Sequence, residues 1–179
     1  MSTRVFFIHT VSGITEMFGD LCKELVPGAD LCHISDESLI QRILAAGGLT
    51  PAIWRRTLDH IVAAEEAGAD VIQLTCSSVS PCADVARNLV SVPVLKIDEP
   101  MVRAALQGHE SLGVIATNPG TLKPSTELVR DIAQETGRDV HVESVLCEGA
   151  YPAWFSGDKQ KHDRIVREYL LDLVDKVDV

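Results

Sequence analysis

Basic side chains are scarce in this sequence. Its 179 residues include 16 Lys and Arg against 26 Asp and Glu, which gives a formal net charge of −10. Because surfaces that bind nucleic acid or anionic membranes depend on clusters of basic side chains, the composition argues against both partners. The sequence also lacks an apolar run long enough to span a bilayer, so we expect no membrane partner.

Cysteine patterns typical of metal sites or disulfide frameworks are lacking as well. The five cysteines are an odd number and are spread along the chain without metal-ligand spacing: Cys22, Cys32, Cys76, Cys82 and Cys147. This usage predicts free thiols, no metal and a location in the reducing cytoplasm. We expect Cys22 and Cys32 to face the core and to be inert.

What the sequence does contain is a regular alternation of strands and helices. Apolar residues make up 46% of the chain, enough for a sizeable core. Strands are predicted at 4–10, 30–35, from Asp70 onward and at 92–97, with helical segments between them. Such an alternation predicts parallel sheets joined by right-handed crossovers, which is the α/β class.

The strand–helix pattern restarts at Ser111, with strands predicted at 111–117 and 140–147. The restart predicts two similar half-units, residues 1–98 and 99–179. The helix at 51–67, which precedes Asp70, corresponds to the helix at 162–176, which precedes Asp178. On this register we expect the sequence to stop at the start of a core strand, so that the second half-unit is truncated.

The segment from Asp70 to Pro81 combines a buried strand with a polar loop. Cys76, Ser77 and Ser78 follow the strand, and Ser80 and Pro81 are typical of an N-cap and a first helical position. Open α/β sheets bind ligands at the carboxyl ends of their strands. A cysteine near a core strand is most often packing. The strand-end position, the polar loop and the helix start favour instead a thiol that faces a bound anion.

Polar residues also follow the first two predicted strands. His9 and Thr10 end the first strand, and Ser12 lies in the loop after it. His9 is interpreted either as a hydrogen-bonded strand-end histidine or as a ligand contact. Asp36 follows the second strand, where the cap of the next helix is the favoured interpretation.

The second half-unit carries polar residues at matching places. Thr117 ends its first strand and is the favoured ligand contact there, while Thr121 is either a ligand contact or the N-cap of the following helix. Cys147 ends the second strand. Two interpretations of it stay open: a thiol that lines the site, or a buried thiol.

Three segments carry a family resemblance: IHTVSGI at 8–14, VIQLTCSS at 71–78 and SLGVIATNPGT at 111–121. With them the chain resembles, over nearly its whole length, the aspartate/glutamate racemase superfamily, which includes hydantoin racemase, maleate isomerase and arylmalonate decarboxylase. The segments DESL at 36–39 and LCEGAY at 146–151 are similar to those of one branch of that superfamily.

The resemblance implies a fold and a chemistry. It implies two flavodoxin-like, three-layer α/β/α half-units whose parallel sheets face a central cleft. There, a thiolate takes the α-proton of a small carboxylate and an opposite thiol returns one, without metal or other cofactor. Carried over, the first cysteine is Cys76, and the substrate contacts are His9, Thr10, Ser12, Ser77, Ser78, Thr117 and Thr121.

One departure from the family pattern concerns the second thiol. The family's second cysteine follows the third strand of the second half-unit, whereas Cys147 follows the second strand. We therefore expect a cofactor-independent racemase or epimerase that acts on a small amino acid or related carboxylate and assembles as a homo-oligomer, with Cys147 as a candidate second thiol. The alternatives are a one-cysteine decarboxylase or cis–trans isomerase, and a non-catalytic carboxylate-binding protein on the same fold.

Overall fold

The computed structural model describes residues 2–179, which form two compact units. The first unit ends at Ile97 and the second begins at Asp98. Both units contain helices and parallel β-strands, so the predicted α/β class is confirmed.

The first unit is built on a four-stranded parallel sheet. Its strands are β1 (Arg4–His9), β2 (Asp30–Ser35), β3 (Val71–Leu74) and β4 (Val94–Lys96), in the spatial order β2-β1-β3-β4. The order places β1 and β3 side by side in the centre. Consequently, the residues that follow these two strands emerge next to each other at one edge of the sheet.

Four helices of the first unit connect these strands: α1 (Thr15–Leu25), α2 (Glu37–Ala46), α3 (Pro51–Glu66) and α4 (Pro81–Ala86). Asp36 caps α2, because its side chain accepts a hydrogen bond from the N–H of Ser38, as predicted. The expectation for Ser80 is wrong in one respect. Ser80 occupies the N-cap position of α4 but makes no capping bond, since a 3-10 turn runs directly into the helix.

The core of the first unit lies between the sheet and the helices α2, α3 and α4. Its members include side chains that are at most 1% exposed: Ile8, Leu39, Ile43, Ile53, Ile61, Ile72 and Leu74. Cys32 and Trp54 pack against this core. Cys22 is half-buried on α1, a helix with no fully buried residue, and its inertness stays a prediction.

The second unit contains two paired parallel strands and four helices. The strands are β5 (Ser111–Ala116) and β6 (His141–Leu146), and the helices are α5 (Glu99–Ala105), α6 (Pro119–Glu135), α7 (Ala150–Phe155) and α8 (Lys159–Val174). The sequence predicts a helix at about 123–136. Helix α6 begins four residues earlier, because the Asn118 side chain caps it by accepting from the Gly120 N–H at 2.8 Å. The sequence did not predict α7, which follows Gly149 in a left-handed conformation.

Helix α8 packs closely against β5. A Cβ added to Gly113 would lie 2.6 Å from Cδ2 of Leu173, so only glycine allows this approach without rearrangement. Beyond α8, the N–H of Asp178 donates to the Ser111 carbonyl at 3.1 Å, and the N–H of Gly113 donates to the Val179 carbonyl at 2.7 Å. Residues 178 and 179 therefore run alongside β5.

Candidate functional site

Cys76 lies at the carboxyl end of the central strand β3. The strand continues through Thr75, whose N–H donates to the Ile8 carbonyl of β1 at 3.1 Å. Cys76 itself is extended and half-buried, and its carbonyl accepts the first hydrogen bond of the 3-10 turn Ser77–Val79, from the Val79 N–H at 3.1 Å. The thiol is thus carried by a backbone that is fixed on both sides of it.

The two serines after Cys76 form the start of this turn. Ser78 is fully buried and Ser77 is half-buried. Since the turn's first bond comes from Val79, the N–H of Ser77 is not one of the turn's own donors.

Thr10 and Cys76 follow two neighbouring strands, β1 and β3. In the parallel register Ile8 pairs with Leu74, so Thr10 and Cys76 both lie two residues further on. Neighbouring strands are about 4.8 Å apart. Thr10 is 1% exposed, and within residues 2–179 its hydroxyl oxygen has no hydrogen-bond partner. Because an unsatisfied buried hydroxyl costs about 1–3 kcal/mol, Thr10 is suited to bind a polar ligand atom.

His9 is completely buried, and both of its ring nitrogens are engaged. Nδ1 lies 2.8 Å from the hydroxyl of Thr75, and Nε2 lies 2.9 Å from Nδ1 of His33 on β2. Burial, and to a smaller extent the neighbouring imidazole, lowers the pKa of His9 from 6.5 to about 4. His9 is therefore a neutral, hydrogen-bonded histidine at pH 7, with its ring directed toward other side chains of the sheet.

Two residues of the DESL segment form hydrogen bonds with the end of β1 and the loop after it. The N–H of Ser12 donates to Oε1 of Glu37 at 3.0 Å, and the N–H of Asp36 donates to the His9 carbonyl at 2.9 Å. Ser12 is exposed, and both its side chain and its backbone N–H hydrogen-bond to the Glu37 carboxylate, which lowers the pKa of Glu37. The segment thus holds the polar loop in place at the same edge of the sheet as Cys76.

Asp36 is itself held by a cluster of polar side chains. Arg56 and His60 of α3 both donate to its Oδ2, the His60 contact being 2.8 Å long. Burial alone would raise the pKa of Asp36, but the hydrogen bonds from Arg56, His60 and Ser38 outweigh it and hold the pKa well below its usual range. Asp36 is ionised and structural.

In the second unit, Thr117 follows β5 and is half-buried, as is Thr121. Thr121 is the third residue of α6 and its N–H donates to the Asn118 carbonyl at 3.0 Å. The N-cap interpretation of Thr121 is therefore wrong, because Asn118 has that position. Thr117 and Thr121 flank the start of α6.

Cys147 and Cys82 are both 0% exposed. Burial raises the pKa of each thiol, to about 12 for Cys82. Of the two alternatives left open for Cys147, the structure favours a buried thiol. A buried neutral thiol is poorly suited to proton transfer with a ligand.

Sequence reasoning missed three residues at this edge of the sheet: His33, Glu37 and Thr75. Glu37 belongs to the DESL segment, and Thr75 is the residue before Cys76, so both stood within recognised motifs. The contact of His33 with His9 depends on the pairing of β1 with β2, which the sequence does not specify.

Neither a metal centre nor a membrane span emerges from the part of the chain that the structure describes. Residues 2–179 contain no group of three or more His, Cys, Asp or Glu side chains placed to hold a metal ion. No helix among them is both long and apolar enough to cross a bilayer.

These features define an α/β protein that presents one thiol and several hydroxyls at the carboxyl edge of a parallel sheet. The sequence profile of the Asp/Glu/Hydantoin racemase family matches residues 14–179. The chain therefore belongs to this family. No curated protein matches the chain significantly.

Solved structures of racemases share its fold. A glutamate racemase from Francisella tularensis in complex with D-glutamate has a TM-score of 0.74 at 16% identity, over 98% of this chain and 65% of that one. An aspartate racemase from Picrophilus torridus has a TM-score of 0.71 at 11% identity, over 99% and 78%.

A glutamate racemase from Aquifex pyrophilus is similar at 22% identity, with a TM-score of 0.61 over 79% of this chain. This chain spans 54% of that racemase and 65% of the Francisella tularensis one. At such identities the likeness shows a shared fold and leaves the substrate open.

Proposed function

We propose that this chain carries the Cys76 part of a cofactor-independent isomerase, a racemase or epimerase that acts at the α-carbon of a small amino acid or related carboxylate. The observation that carries the proposal is the place of Cys76. It follows a central strand, precedes a turn that offers an amide donor, and neighbours a buried hydroxyl without a protein partner. Family membership supports the reaction class.

The proposed chemistry is a proton transfer with no net redox change. The Cys76 thiolate takes the α-proton, and the electron pair of the broken C–H bond moves into the adjacent carboxylate. A second acid on the opposite face then gives its proton to the carbanion, which yields the other enantiomer and leaves Cys76 as the neutral thiol. The hydroxyl of Thr10 and the N–H of Ser77 are suited to hold the carboxylate oxygens while charge builds on them. Ser78, Thr117 and Thr121 stay further candidates for substrate contacts.

A one-cysteine reaction is the second candidate, and the burial of Cys147 favours it. If no second thiol protonates the opposite face, Cys76 acts alone. In a decarboxylase, the carbon–carbon bond to one carboxyl breaks and releases carbon dioxide. The Cys76 thiol then protonates the remaining carbanion on a single face. Both candidates use Cys76, as the base that takes the α-proton in the racemase and as the acid that protonates the carbanion in the decarboxylase, and they differ in which bond of the substrate is broken.

Deuterium exchange tests the proposal directly. The chain is incubated in deuterated buffer with a panel of amino acids, hydantoins and malonates, and the α-proton is followed by NMR. A racemase replaces the α-proton with deuterium and forms the other enantiomer. A decarboxylase forms a new C–D bond on one face and releases carbon dioxide.

The Cys76→Ser variant is expected to abolish either reaction while substrate still binds. A hydroxyl is a far weaker acid than a thiol of ordinary pKa about 8.5, so at neutral pH it neither ionises to become a base nor donates its proton as readily. Cys32→Ser is the matched control, since Cys32 is another half-buried thiol of the same unit. A fully active Cys76→Ser variant would refute both enzymatic candidates. Ligand binding without turnover of any panel member would favour the carboxylate-binding alternative.

The other expectations stay predictions. A small-molecule carboxylate substrate is in keeping with the D-glutamate bound to the Francisella tularensis racemase. The homo-oligomer and the cytoplasmic location are inferred from the sequence. Size-exclusion chromatography with light scattering would test the homo-oligomer, and a monomer at micromolar concentration would contradict it.

A further inference from the structure

A hydrogen-bonded chain of three side chains crosses the sheet beside Cys76. It runs from Thr75, the residue before Cys76, to His9 on β1 and on to His33 on β2. The distances are 2.8 Å from the Thr75 hydroxyl to His9 Nδ1 and 2.9 Å from His9 Nε2 to His33 Nδ1. All three side chains lie on the face of the sheet opposite the apolar core of the first unit.

The proton positions along these three hydrogen-bonded side chains follow from the bond that Thr75 makes. The Thr75 hydroxyl has one proton and donates it to the Ile8 carbonyl at 3.0 Å. The Thr75 oxygen therefore accepts from Nδ1–H of His9, and Nε2 of His9 accepts from Nδ1–H of His33. This direction forms three hydrogen bonds, whereas the reverse direction loses the bond to Ile8. His33 is the donor at the outer end.

The surroundings of His9 and His33 keep both imidazole rings neutral. The rings of Phe7 and Phe18 pack against His9, with centroids 6.0 and 5.5 Å away, and Phe7 also stacks on His33 at 5.2 Å. The described hydrogen bonds and ring contacts of the two imidazoles are thus with aromatic rings, with the Thr75 hydroxyl and with each other. Burial lowers the pKa of both histidines, in His9 with a smaller contribution from His33.

We propose that His33 acts through His9 and Thr75 as a positioning residue for Cys76. This inference rests on the proposed function of Cys76, although its test does not require turnover. His33 holds the buried His9 ring by donating to Nε2, and His9 in turn holds the Thr75 side chain. Thr75 is bound to Ile8 through both its N–H and its hydroxyl. The orientation of Thr75 therefore determines the position of Cys76 and of the turn Ser77–Val79.

Loss of the His33 donor should loosen the Cys76 turn and leave the sheet intact. Amide hydrogen exchange separates the two effects. The Val79 N–H reports on the turn, because it donates to Cys76, and the Ile72 N–H reports on the sheet, because it donates to Pro93. In His33→Leu we expect Val79 to exchange about fivefold faster or more, with Ile72 unchanged.

His33→Asn is the conservative variant, because an Asn side chain places an N–H donor close to the position of Nδ1, and it should restore the exchange rate of Val79. His141→Leu, at an exposed histidine of β6, is the matched control and should change neither amide. Equal acceleration at Val79 and Ile72, or none at Val79 in His33→Leu, would overturn the proposal.

Ring-nitrogen NMR of the unmodified chain provides a second test that does not depend on a variant folding. At neutral pH we expect the single ring proton of both His9 and His33 on Nδ1. A ring proton on Nε2 of His9 would overturn the proposal, because His33 would then no longer be the donor that holds it. If Cys76→Ser retains exchange activity, the proposed function fails, while these two measurements still decide whether His33 orders the turn.

Discussion

Burial of the neutral His9 ring predicts that the first unit loses stability in mild acid. The pKa of His9 is about 4 in the folded chain against 6.5 when the side chain is in water. At neutral pH the ring is uncharged in both states. As the pH falls below 6.5, the unfolded chain binds a proton at this side chain before the folded chain does, so protonation favours unfolding.

The magnitude follows from the difference between the two pKa values. One pH unit in which only the unfolded state is protonated costs about 1.4 kcal/mol. Between about pH 7.5 and pH 4.5, His9 alone should lower the free energy of unfolding by about 2.5 kcal/mol. His33 contributes in the same direction, because burial lowers its pKa as well.

Urea unfolding followed by the fluorescence of Trp54 measures this loss. Trp54 packs against the core of the first unit, and a Trp154→Phe background removes the exposed tryptophan of the second. His9→Gln cannot titrate and should lose about 2.5 kcal/mol less than the parent chain over the same pH range. His141→Gln, at an exposed histidine, should follow the parent. Parallel pH dependences of the parent chain and His9→Gln would refute the reasoning.

Three further predictions concern thiols, packing and a buried carboxylate. Iodoacetamide should modify Cys76 in the native chain while the fully buried Cys82 stays unmodified, which peptide mass spectrometry would show; similar rates at both would contradict the assignment. Gly113→Ala should destabilise the second unit by about 1–3 kcal/mol in urea, because its new Cβ overlaps a buried leucine of α8, whereas Gly19→Ala meets no atom within 4 Å and should not. Asp36→Ala should cost the first unit about 2 kcal/mol, from the lost helix cap and the lost bonds to two α3 side chains; an unchanged denaturation midpoint would argue against this role.

The sequence predicted the class of fold and the order of strands and helices because both depend on local patterns. Strand β2 was predicted with its exact bounds, and the Asp36 cap followed from its position before a helix. The start of α6 was predicted too late, at about residue 123. In fact Asn118 starts the helix, and Pro124 lies inside it.

The contacts that shape the site depend on strand pairing, which local patterns do not determine. His9 meets both His33 and Thr75 only because β1 lies between β2 and β3 in the sheet. To predict that the buried hydroxyl of Thr10 lacks a hydrogen-bond partner, one would likewise have to know every residue that packs around it. The sequence could therefore nominate Cys76 and its neighbours, but not the histidine chain that adjoins them.

Cys76 and Cys147 lie in different environments because they follow different strands of their units. Asp36 and Cys147 each follow the second strand of their unit, and each donates its N–H to the last residue of the first strand, at 2.9 Å to His9 and at 2.8 Å to Ala116.

Asp70 and Asp178 match in the same way. The N–H of Asp70 donates to the Arg4 carbonyl and its Oδ2 accepts from the Arg4 N–H, and Asp178 makes both bonds with Ser111. On this register Cys147 is the counterpart of Asp36 rather than of Cys76. In both units the residue after the second strand is buried and connects the strand ends, whereas Cys76 is half-buried and follows the third strand, where the 3-10 turn Ser77–Val79 begins. A serine at position 147 should therefore leave α-proton exchange unchanged, and loss of exchange in Cys147→Ser with folding intact would contradict this register.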